Sequence, residues 1–247
     1  IIGLKKALGR AAWNEGMKRA QGDIFLLLDA DMYLTKNFLK LLSKKFVKYP
    51  QIYAVTFNLK HPTLKTRGWE PVHSVYPSVD GGYEAYTATF AIRREVFEKV
   101  GGYDPNFFLY VENEYYIKLL QHGFRVYYFP DLIAYHAESA NPYRSVMLSY
   151  HVVKNYMQIY ALYLPLRVWP KFFLHHQKEF SEVVVGGKAN RLGAIKGLVS
   201  GMWFFLKALP KRRVLQGDAL KTYMRFYFPK KGDVVVEKWG WGRESAS

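Results

Sequence analysis

Residues 23–31 read DIFLLLDAD, and this short stretch decides the fold class. Its apolar run, residues 24–28, is preceded by Gly22-Asp23 and followed by Asp29-Ala30-Asp31. A continuous apolar run of this length, bounded by turn residues, is typical of a strand that is covered on both faces. The stretch therefore predicts a parallel or mixed sheet with helices packed against it.

The segments around this strand alternate between helix and strand patterns. Residues 4–20 and 36–48 are helical in periodicity, and residues 52–58 read as a second strand. Residues 60–87 are rich in Pro, Gly, Tyr and Trp, so we expect a long irregular loop with a functional role there. Further helices are predicted at 94–100 and about 112–122, and further strands at 87–92, 124–129 and 132–135. This alternation predicts an α/β fold, with a mixed sheet flanked by helices.

Composition excludes several classes of protein. Of the 247 residues, 50% are hydrophobic and 17% aromatic, which rules out a disordered chain. The chain has no cysteine, which excludes a disulfide scaffold, a cysteine zinc cluster and a thiol nucleophile.

Charge is distributed unevenly and suggests a boundary near residue 143. Residues 1–143 carry 18 Lys and Arg against 14 Asp and Glu, whereas residues 144–247 carry 18 against 6. The second part is helical, basic and aromatic, as in residues 202–207 and 223–231. Such helices suit the surface of an anionic membrane, although the same aromatics could simply pack onto the first part. The longest charge-free apolar run, residues 197–206, is about half of the roughly 20 residues that a spanning helix needs, so no transmembrane segment is predicted.

Asp29 and Asp31 carry the strongest local signal. Ligands of open α/β sheets bind at the carboxyl ends of strands, and two carboxylates there can converge on one hard cation. Mg²⁺ or Mn²⁺ in that position could hold a diphosphate. The alternative is a solvated turn before the next helix.

A second group of polar residues follows in Glu112-Asn113-Glu114 and His136. The two glutamates begin a predicted helix, where its dipole stabilises them or where one acts as a general base. His136 ends a predicted strand, and its imidazole could bind the metal or touch a phosphate.

Taken together, these residues resemble the inverting family 2 glycosyltransferases of the GT-A fold, and the matches run in the family's order over about residues 8–136. The segments that carry the resemblance are WNEG at 13–16, AQGD at 20–23, LDADM at 28–32, IRREVF at 92–97, VGGYD at 100–104, YVENE at 110–114 and GFRV at 123–126, followed by Pro130 and His136. Residues 150–155 and the cluster at 211–213 also look like the C-terminal helices of rhamnosyltransferase-like members.

The resemblance implies roles for individual residues. Asp29, Asp31 and His136 would hold a divalent cation, while Asn14, Arg10, Asp29 and Ala30 would lie near a nucleotide-sugar donor. The base would come from the Glu-Asp motif of the family, where this chain has asparagine at one possible position, and an amide takes up no proton at neutral pH. We therefore expect Glu112 to be the base, with Glu114 second, and an impaired or unusual base as a third possibility. The family's first strand is missing from this sequence, so we expect an N-terminally truncated domain.

The implied activity is that of a hexosyltransferase-type enzyme with inversion at the sugar. The acceptor would be a glycan or lipid-linked hydroxyl, as in the synthesis of cell-envelope polysaccharide, at the inner face of the cell membrane. Two alternatives come from other classes: a glycosyltransferase-like binding protein that has lost catalysis, and a nucleic-acid-binding protein. The second explains the charge of +16 but not the acidic pairs at strand ends, and no nucleic-acid motif is recognisable.

Overall fold

A computed structural model describes residues 2–5, 7–60, 68–69, 73–77, 83–86, 90–108, 111–136, 144–176 and 188–228. The chain divides into two compact units, each built from several segments. Unit 1 comprises Ile1–Gln21, Phe97–Gly123 and Ala140–Lys221, and unit 2 comprises Gly22–Val96, Phe124–Ser139 and Thr222–Ser247. The boundary predicted near residue 143 divides the sequence rather than these units, and it stays a prediction.

Among its described residues, unit 2 contains an eight-stranded mixed sheet. Its strands are β1 Ile24–Leu26, β2 Met32–Leu34, β3 Ala54–Lys60, β4 Gly68–Trp69, β5 His73–Pro77, β6 Tyr83–Tyr86, β7 Phe90–Arg93 and β8 Val126–His136. The strand order is β1-β7-β3-β8-β6-β5, with β2 paired to β8 and β4 paired to β3. Only the β3–β8 pair is parallel among the strand pairs of the described residues. The predicted α/β class with a mixed sheet is confirmed.

Helix α2, Phe38–Lys48, covers one face of this sheet. Its apolar side chains recur at helical spacing, so Phe38, Leu42 and Phe46 all face inward and are at least 96% buried. They join a core of ten buried residues that also includes Ile52, Val55, Phe57, Ala91, Phe129, Leu132 and Ala134. Ile24, Leu26 and Leu28 pack against the same core while Phe25 and Leu27 are buried, so both faces of the first strand are covered in part.

Two sequence predictions for this sheet were wrong in detail. The described parts of residues 60–87 include β4, β5 and β6, so this stretch contributes strands rather than only an irregular loop. Residues 126–136 form one strand rather than two. Its register against β3 jumps from Phe129 to Ile133, so that Pro130, Asp131 and Leu132 are left out of the pairing. Pro130 has no amide proton for the sheet, which explains the interruption there.

The remaining helices lie wholly or partly in unit 1. They are α1 Trp13–Arg19, α3 Arg94–Val100, α4 Glu112–Gln121, α5 Arg144–Tyr163, α6 with described residues 169–176, α7 Lys188–Ala208 and α8 Gly217–Tyr227. The predicted helix over residues 4–20 is shorter, because Gly9 has a φ of 55° and the regular helix begins only at Trp13, after a 3-10 turn. A Cβ at Gly9 would lie 2.3 Å from the carbonyl oxygen of Phe108, so this close approach requires glycine.

One helix of the described chain meets the length and composition of a membrane span, although the sequence analysis predicts none. This segment, Arg191–Lys211, has 21 residues and contains an 18-residue window with a mean hydropathy of 1.4, of which 28% is buried. The two results differ because they use different criteria. The longest run without charged residues, on which the sequence prediction rests, ends at Lys196 and Lys207, whereas a mean hydropathy can stay high when a segment includes these two lysines.

Candidate functional site

The acidic turn of unit 2 comprises Asp29, Ala30 and Asp31 and connects β1 to β2. The amide of Met32 donates a hydrogen bond of 3.1 Å to the carbonyl of Asp29, which closes the turn. Both aspartates are half-buried and Ala30 is exposed. The two aspartates thus lie in one tight turn that follows β1, and their predicted role as metal ligands stays a prediction.

The end of β8 lies beside this turn. In the antiparallel pairing of β2 and β8, Met32 is opposite His136 and Leu34 is opposite Ala134. His136 is therefore a backbone neighbour of the residue that follows Asp31. Its side chain lies outside the described residues, so the predicted metal-binding role stays a prediction.

Arg94 holds the beginning of β1 in place. Its guanidinium donates a hydrogen bond of 2.6 Å to the carbonyl of Gly22, and its amide donates one of 2.8 Å to the carbonyl of Asp23. At the other end of β1, the amide of Leu27 donates to the carbonyl of Phe90 at 3.1 Å. Because β1 is fixed at both ends, the acidic turn that follows it has a defined position.

The acidic turn suits a hard divalent cation in its donor chemistry. Carboxylate oxygens are the ligands that Mg²⁺ and Mn²⁺ prefer, and Mg²⁺ is usually bound through one or two carboxylates together with substrate phosphates. Among the side chains that the structure describes, no group of three or more His, Asp or Glu converges on one point. The described side chains would contribute two carboxylates here, and a bound diphosphate would supply further oxygens.

Glu112 and Arg10 form an ion pair in unit 1. The Nε atom of Arg10 lies 2.9 Å from Oε1 of Glu112, and the two side chains are 20% and 11% exposed. The guanidinium also lies 4.9 Å from the centre of the Trp13 ring. Arg10 thus orients the carboxylate at the start of α4, and Glu112 itself is 8% exposed.

Glu114 lies in a different environment, although it is only two residues away. It is 1% exposed, and its Oε1 accepts a hydrogen bond of 2.7 Å from the hydroxyl of Tyr163. Burial raises the pKa of the Glu114 carboxyl from 4.5 to about 7, while Lys118 and the Tyr163 hydroxyl act in the opposite direction. Burial and the neighbouring Glu114 also raise the pKa of Tyr163, so Tyr163 keeps its proton and donates it. Two candidate bases of the sequence analysis therefore differ in access to solvent.

Asn14 connects two of the sequence motifs. Its amide nitrogen donates to the carbonyl of Tyr103, and its amide oxygen accepts from the Tyr103 backbone amide, both at 2.8 Å. A Cβ on the neighbouring Gly102 would lie 2.1 Å from that oxygen, which explains the glycine. The structure thus gives Asn14 a scaffolding contact, and its predicted contact with a donor stays a prediction.

Helix α5 contributes a buried polar face that the sequence analysis did not identify. Residues 151, 154, 155 and 158 are His, Lys, Asn and Gln, and each is at most 9% exposed. The Nζ atom of Lys154 donates a hydrogen bond of 2.7 Å to the carbonyl of Asn106, and the His151 ring lies 5.3 Å from that of Phe108. Burial lowers the pKa of Lys154, which Asp104 partly offsets. Polar residues at i, i+3, i+4 and i+7 of an otherwise apolar helix were the available signal.

Comparison with known proteins gives a match in family and in fold. Residues 6–113 match the sequence profile of the family described as "Glycosyl transferase family 2". No curated protein sequence matches the chain.

Two solved glycosyltransferase structures share the fold. The structure of GalNAc-T7 with UDP, GalNAc and Mn²⁺ superposes with a TM-score of 0.51 at 16% identity, covering 84% of this chain and 45% of that one. The structure of residues 1–349 of TarS from S. aureus gives a TM-score of 0.51 at 16% identity, covering 84% of this chain and 63% of that one. The chain thus spans about half to two thirds of the length of these proteins. The fold is the GT-A fold that the sequence predicts, and residues 6–113 match the profile of glycosyl transferase family 2.

Proposed function

We propose that this chain is the catalytic part of a glycosyltransferase that moves a sugar from a nucleotide-sugar donor to a hydroxyl of a glycan or lipid-linked acceptor, with inversion. The observation that carries the proposal is the pair of half-buried aspartates, Asp29 and Asp31, in one turn at the end of β1. The family match over residues 6–113 supports it. It is also supported by the structures with the same fold, which contain UDP and Mn²⁺ in GalNAc-T7 and UDP in TarS.

In this proposal the acidic turn binds the diphosphate of the donor through Mg²⁺ or Mn²⁺. When bound, the cation offsets the negative charge that develops on the departing nucleoside diphosphate. Asp29 and Asp31 would be its protein ligands, with His136 as an accessory one. Ala30 is exposed in the same turn, which leaves the backbone there accessible to the donor.

Glu112 acts as the base in this proposal. Arg10 fixes its orientation from one side, and both side chains remain partly accessible. Glu114 suits the task less, because it is almost fully buried and its Oε1 is engaged by Tyr163. The asparagine between them has no proton-accepting group.

The reaction is then a single displacement. The Glu112 carboxylate takes the proton of the acceptor hydroxyl, and the acceptor oxygen forms a bond to the anomeric carbon of the sugar. The bond between that carbon and the diphosphate oxygen breaks on the opposite face, and the nucleoside diphosphate leaves with the electron pair. Attack from the face opposite the leaving group inverts the configuration.

The proposed setting is the inner face of the cell membrane, where lipid-linked glycans of the cell envelope are extended. The charge of residues 144–247, with 18 Lys and Arg against 6 Asp and Glu, supports contact with an anionic surface. A glycosyltransferase-like protein that only binds glycans is the second candidate, because asparagine stands at position 113, within the motif of the expected base.

A donor screen tests the proposal. The full chain is incubated with Mn²⁺ and a set of nucleotide sugars that includes a nucleoside-diphosphate rhamnose, and release of nucleoside diphosphate is measured with and without a lipid-linked acceptor. Acceptor-dependent release that disappears in the Asp31→Ala variant is expected. Donor binding without any release would favour the binding protein. Binding of RNA without binding of any donor would overturn the proposal altogether.

A further inference from the structure

Helix α7 presents a row of large apolar side chains to solvent. Ile195, Val199, Trp203 and Leu206 are 61%, 67%, 59% and 59% exposed, and Leu192, Leu198, Met202 and Leu209 are also exposed. From residue 192 to residue 206 they recur at helical spacing over about four turns, and Leu209 follows in the 3-10 turn after the helix. We define the first four as the apolar face of α7. Soluble proteins rarely leave so long an apolar row exposed, and such a row indicates a binding surface.

The opposite side of α7 carries small residues together with the half-buried Phe204, and it packs against α5. A Cβ on Gly197 would lie 2.5 Å from the carbonyl oxygen of Tyr150, and one on Gly201 would lie 2.8 Å from the Cβ of Met157. The two helices also meet through a hydrogen bond of 3.2 Å from the Tyr150 hydroxyl to Ser200. This helix therefore buries Gly197 and Gly201 and exposes most of its large apolar residues, while Phe204 and Phe205 are half-buried. That is the reverse of the usual distribution in water, where the large apolar residues face the core.

The charge around this face selects its partner. From residue 183 to residue 217 the chain has no Asp or Glu, and it has seven Lys and Arg at positions 188, 191, 196, 207, 211, 212 and 213. Lys207 and Lys211 are exposed, and the Nζ atom of Lys207 lies 4.4 Å from the centre of the Trp203 ring. Two copies of such a surface would repel each other, whereas an anionic lipid surface attracts it.

We propose that α7 lies flat in the headgroup region of an anionic bilayer, with Ile195, Val199, Trp203 and Leu206 at the boundary of the acyl chains. This inference assigns the membrane contact of the proposed function to a defined surface. The role of the contact is to keep the enzyme beside a lipid-linked acceptor, and that role rests on the proposed function. The amphipathic arrangement needed for interfacial binding is supplied by apolar side chains on one side and cations beside them.

The contact with α5 favours a helix in the plane of the bilayer over one that crosses it. Although Arg191–Lys211 is long enough to cross, α5 is packed along it, and α5 carries Lys154, Asn155 and Gln158 on its buried face. A crossing would bring these polar groups to the hydrocarbon core, where each is costly.

Co-sedimentation with vesicles tests the surface. The full chain is mixed with vesicles of phosphatidylcholine alone or with phosphatidylglycerol added. Replacing Val199→Ser and Leu206→Ser should each lower the partition coefficient about tenfold, since each removes one buried aliphatic side chain. Replacing Lys207→Gln and Lys211→Gln should lower it about fivefold per lysine, and only on the anionic vesicles.

Exposed apolar residues of another helix provide the matched control. Leu39 and Val47 of α2 are 61% and 78% exposed, and Leu39→Ser and Val47→Ser should leave vesicle binding unchanged. If these two changes weaken vesicle binding as much as the changes in α7 do, or if the wild-type chain does not bind anionic vesicles, the proposal is overturned. If the wild-type chain forms concentration-dependent dimers and Val199→Ser or Leu206→Ser makes it monomeric, the apolar face of α7 binds a second copy and the membrane proposal is also overturned.

The orientation is tested by single cysteines, which are straightforward because the chain has none. A polarity-sensitive fluorophore on Ile195→Cys, Val199→Cys or Leu206→Cys should shift to the blue on anionic vesicles, whereas one on Val47→Cys should not. Quenching by lipids labelled at known depths should place all three α7 positions at the same shallow depth. A depth that changes steadily along the helix would show a crossing helix and overturn the flat arrangement.

Transfer to a water-soluble acceptor separates the two proposals. The α7 serine variants should keep full transfer to that acceptor and lose it only with vesicle-bound acceptor. If the wild-type chain transfers sugar to the soluble acceptor but does not bind vesicles, this inference alone is overturned. Vesicle binding without any transfer would overturn the proposed function and leave the membrane surface intact.

Discussion

The hydroxyl of Tyr163 donates a hydrogen bond of 2.7 Å to Oε1 of Glu114, across 49 positions of the chain. The bond joins α4 to α5 inside unit 1, and both residues are more than 90% buried. Oε2 of Glu114 has no hydrogen-bond partner among the described residues. A carboxyl group with so little solvation holds its proton more tightly than it would in water, because burial disfavours the charged carboxylate.

The first prediction concerns how stability depends on pH. The pKa of Glu114 is about 7 in the folded chain against an ordinary 4.5, so the folded state binds the proton more tightly than the unfolded state. Its stabilising contribution is therefore complete below about pH 4.5 and is lost as pH rises to about 7. The loss amounts to about 3 kcal/mol in the free energy of unfolding.

The Glu114→Gln variant checks this prediction, because its amide is neutral throughout. Urea unfolding at about pH 5 and about pH 8 should show the variant gaining about 2.5 kcal/mol on the wild type between the two values, because a small part of the loss has already occurred at pH 5. Taking this difference between the two proteins removes the contribution of other titrating groups. If the free energy of unfolding changes equally with pH in the wild type and the variant, the pKa of Glu114 is not raised by folding and the prediction is wrong.

The second prediction separates the two candidate bases. Replacing Glu112→Gln should lower kcat by about 100- to 10,000-fold, because it removes the proton acceptor while keeping the shape of the side chain. Replacing Glu114→Gln should leave kcat within a few-fold of the wild type at neutral pH. Steady-state rates of nucleoside diphosphate release measure both. The reverse order of the two effects would transfer the role to Glu114.

The third prediction concerns the acidic turn. Asp31→Ala and Asp29→Asn should each weaken Mn²⁺-dependent donor binding by at least about tenfold, since a hard cation loses one of its carboxylate ligands. Asp23→Asn is the matched control, because Asp23 is exposed and contacts Arg94 through its backbone carbonyl. Calorimetric titration with a nucleoside diphosphate, with and without Mn²⁺, measures the effect. Equal affinity in the presence and absence of the metal would remove the cation from the proposed function.

The fourth prediction concerns Asn14 and Gly102. Asn14→Ala should cost about 2 kcal/mol of stability, because it leaves the backbone amide and carbonyl of Tyr103 without their partners. Gly102→Ala should also destabilise the chain, since its Cβ would lie 2.1 Å from the Asn14 amide oxygen.

The double variant tests whether these two effects share one cause. When Asn14 is already alanine, the clash with Gly102→Ala disappears, so the double variant should lose about 1–2 kcal/mol less than the two single losses together. Chemical unfolding of the four proteins gives this coupling. Strictly additive losses would mean that Gly102 is required for another reason.

Sequence reasoning predicted the elements whose pattern is local. Helix α2 follows from apolar residues at helical spacing, and the acidic turn follows from charged residues after an apolar run. Residues 68–86 were missed as strands, although β4 pairs with β3 and β5 with β6 over short separations; β6 also pairs with the distant strand β8. Tyr83 of β6, for example, lies opposite Tyr128 of β8. No spacing within residues 60–87 contains that information.

The candidate site could be predicted as a list of residues but not as an arrangement. The sequence gives no sign that Arg10 contacts Glu112, or that Tyr163 engages Glu114, because each contact joins segments far apart in the chain. It also favours Glu112 over Glu114 only by motif position. Their exposures of 8% and 1% are a property of packing, and the proposal of Glu112 as the base uses that difference.

The pairing of β1 with β7 has a consequence for biosynthesis. Ile24 lies opposite Arg93 and Leu26 opposite Ala91, so the described partner of β1 is made about 65 residues later. On the ribosome, residues 24–26 emerge with an exposed apolar edge and wait several seconds for that partner, at about 5–20 residues per second. During this interval the segment that carries the acidic turn depends on chaperones or on a slow rate of aggregation, so translation speed through residues 30–93 should influence the yield of folded protein.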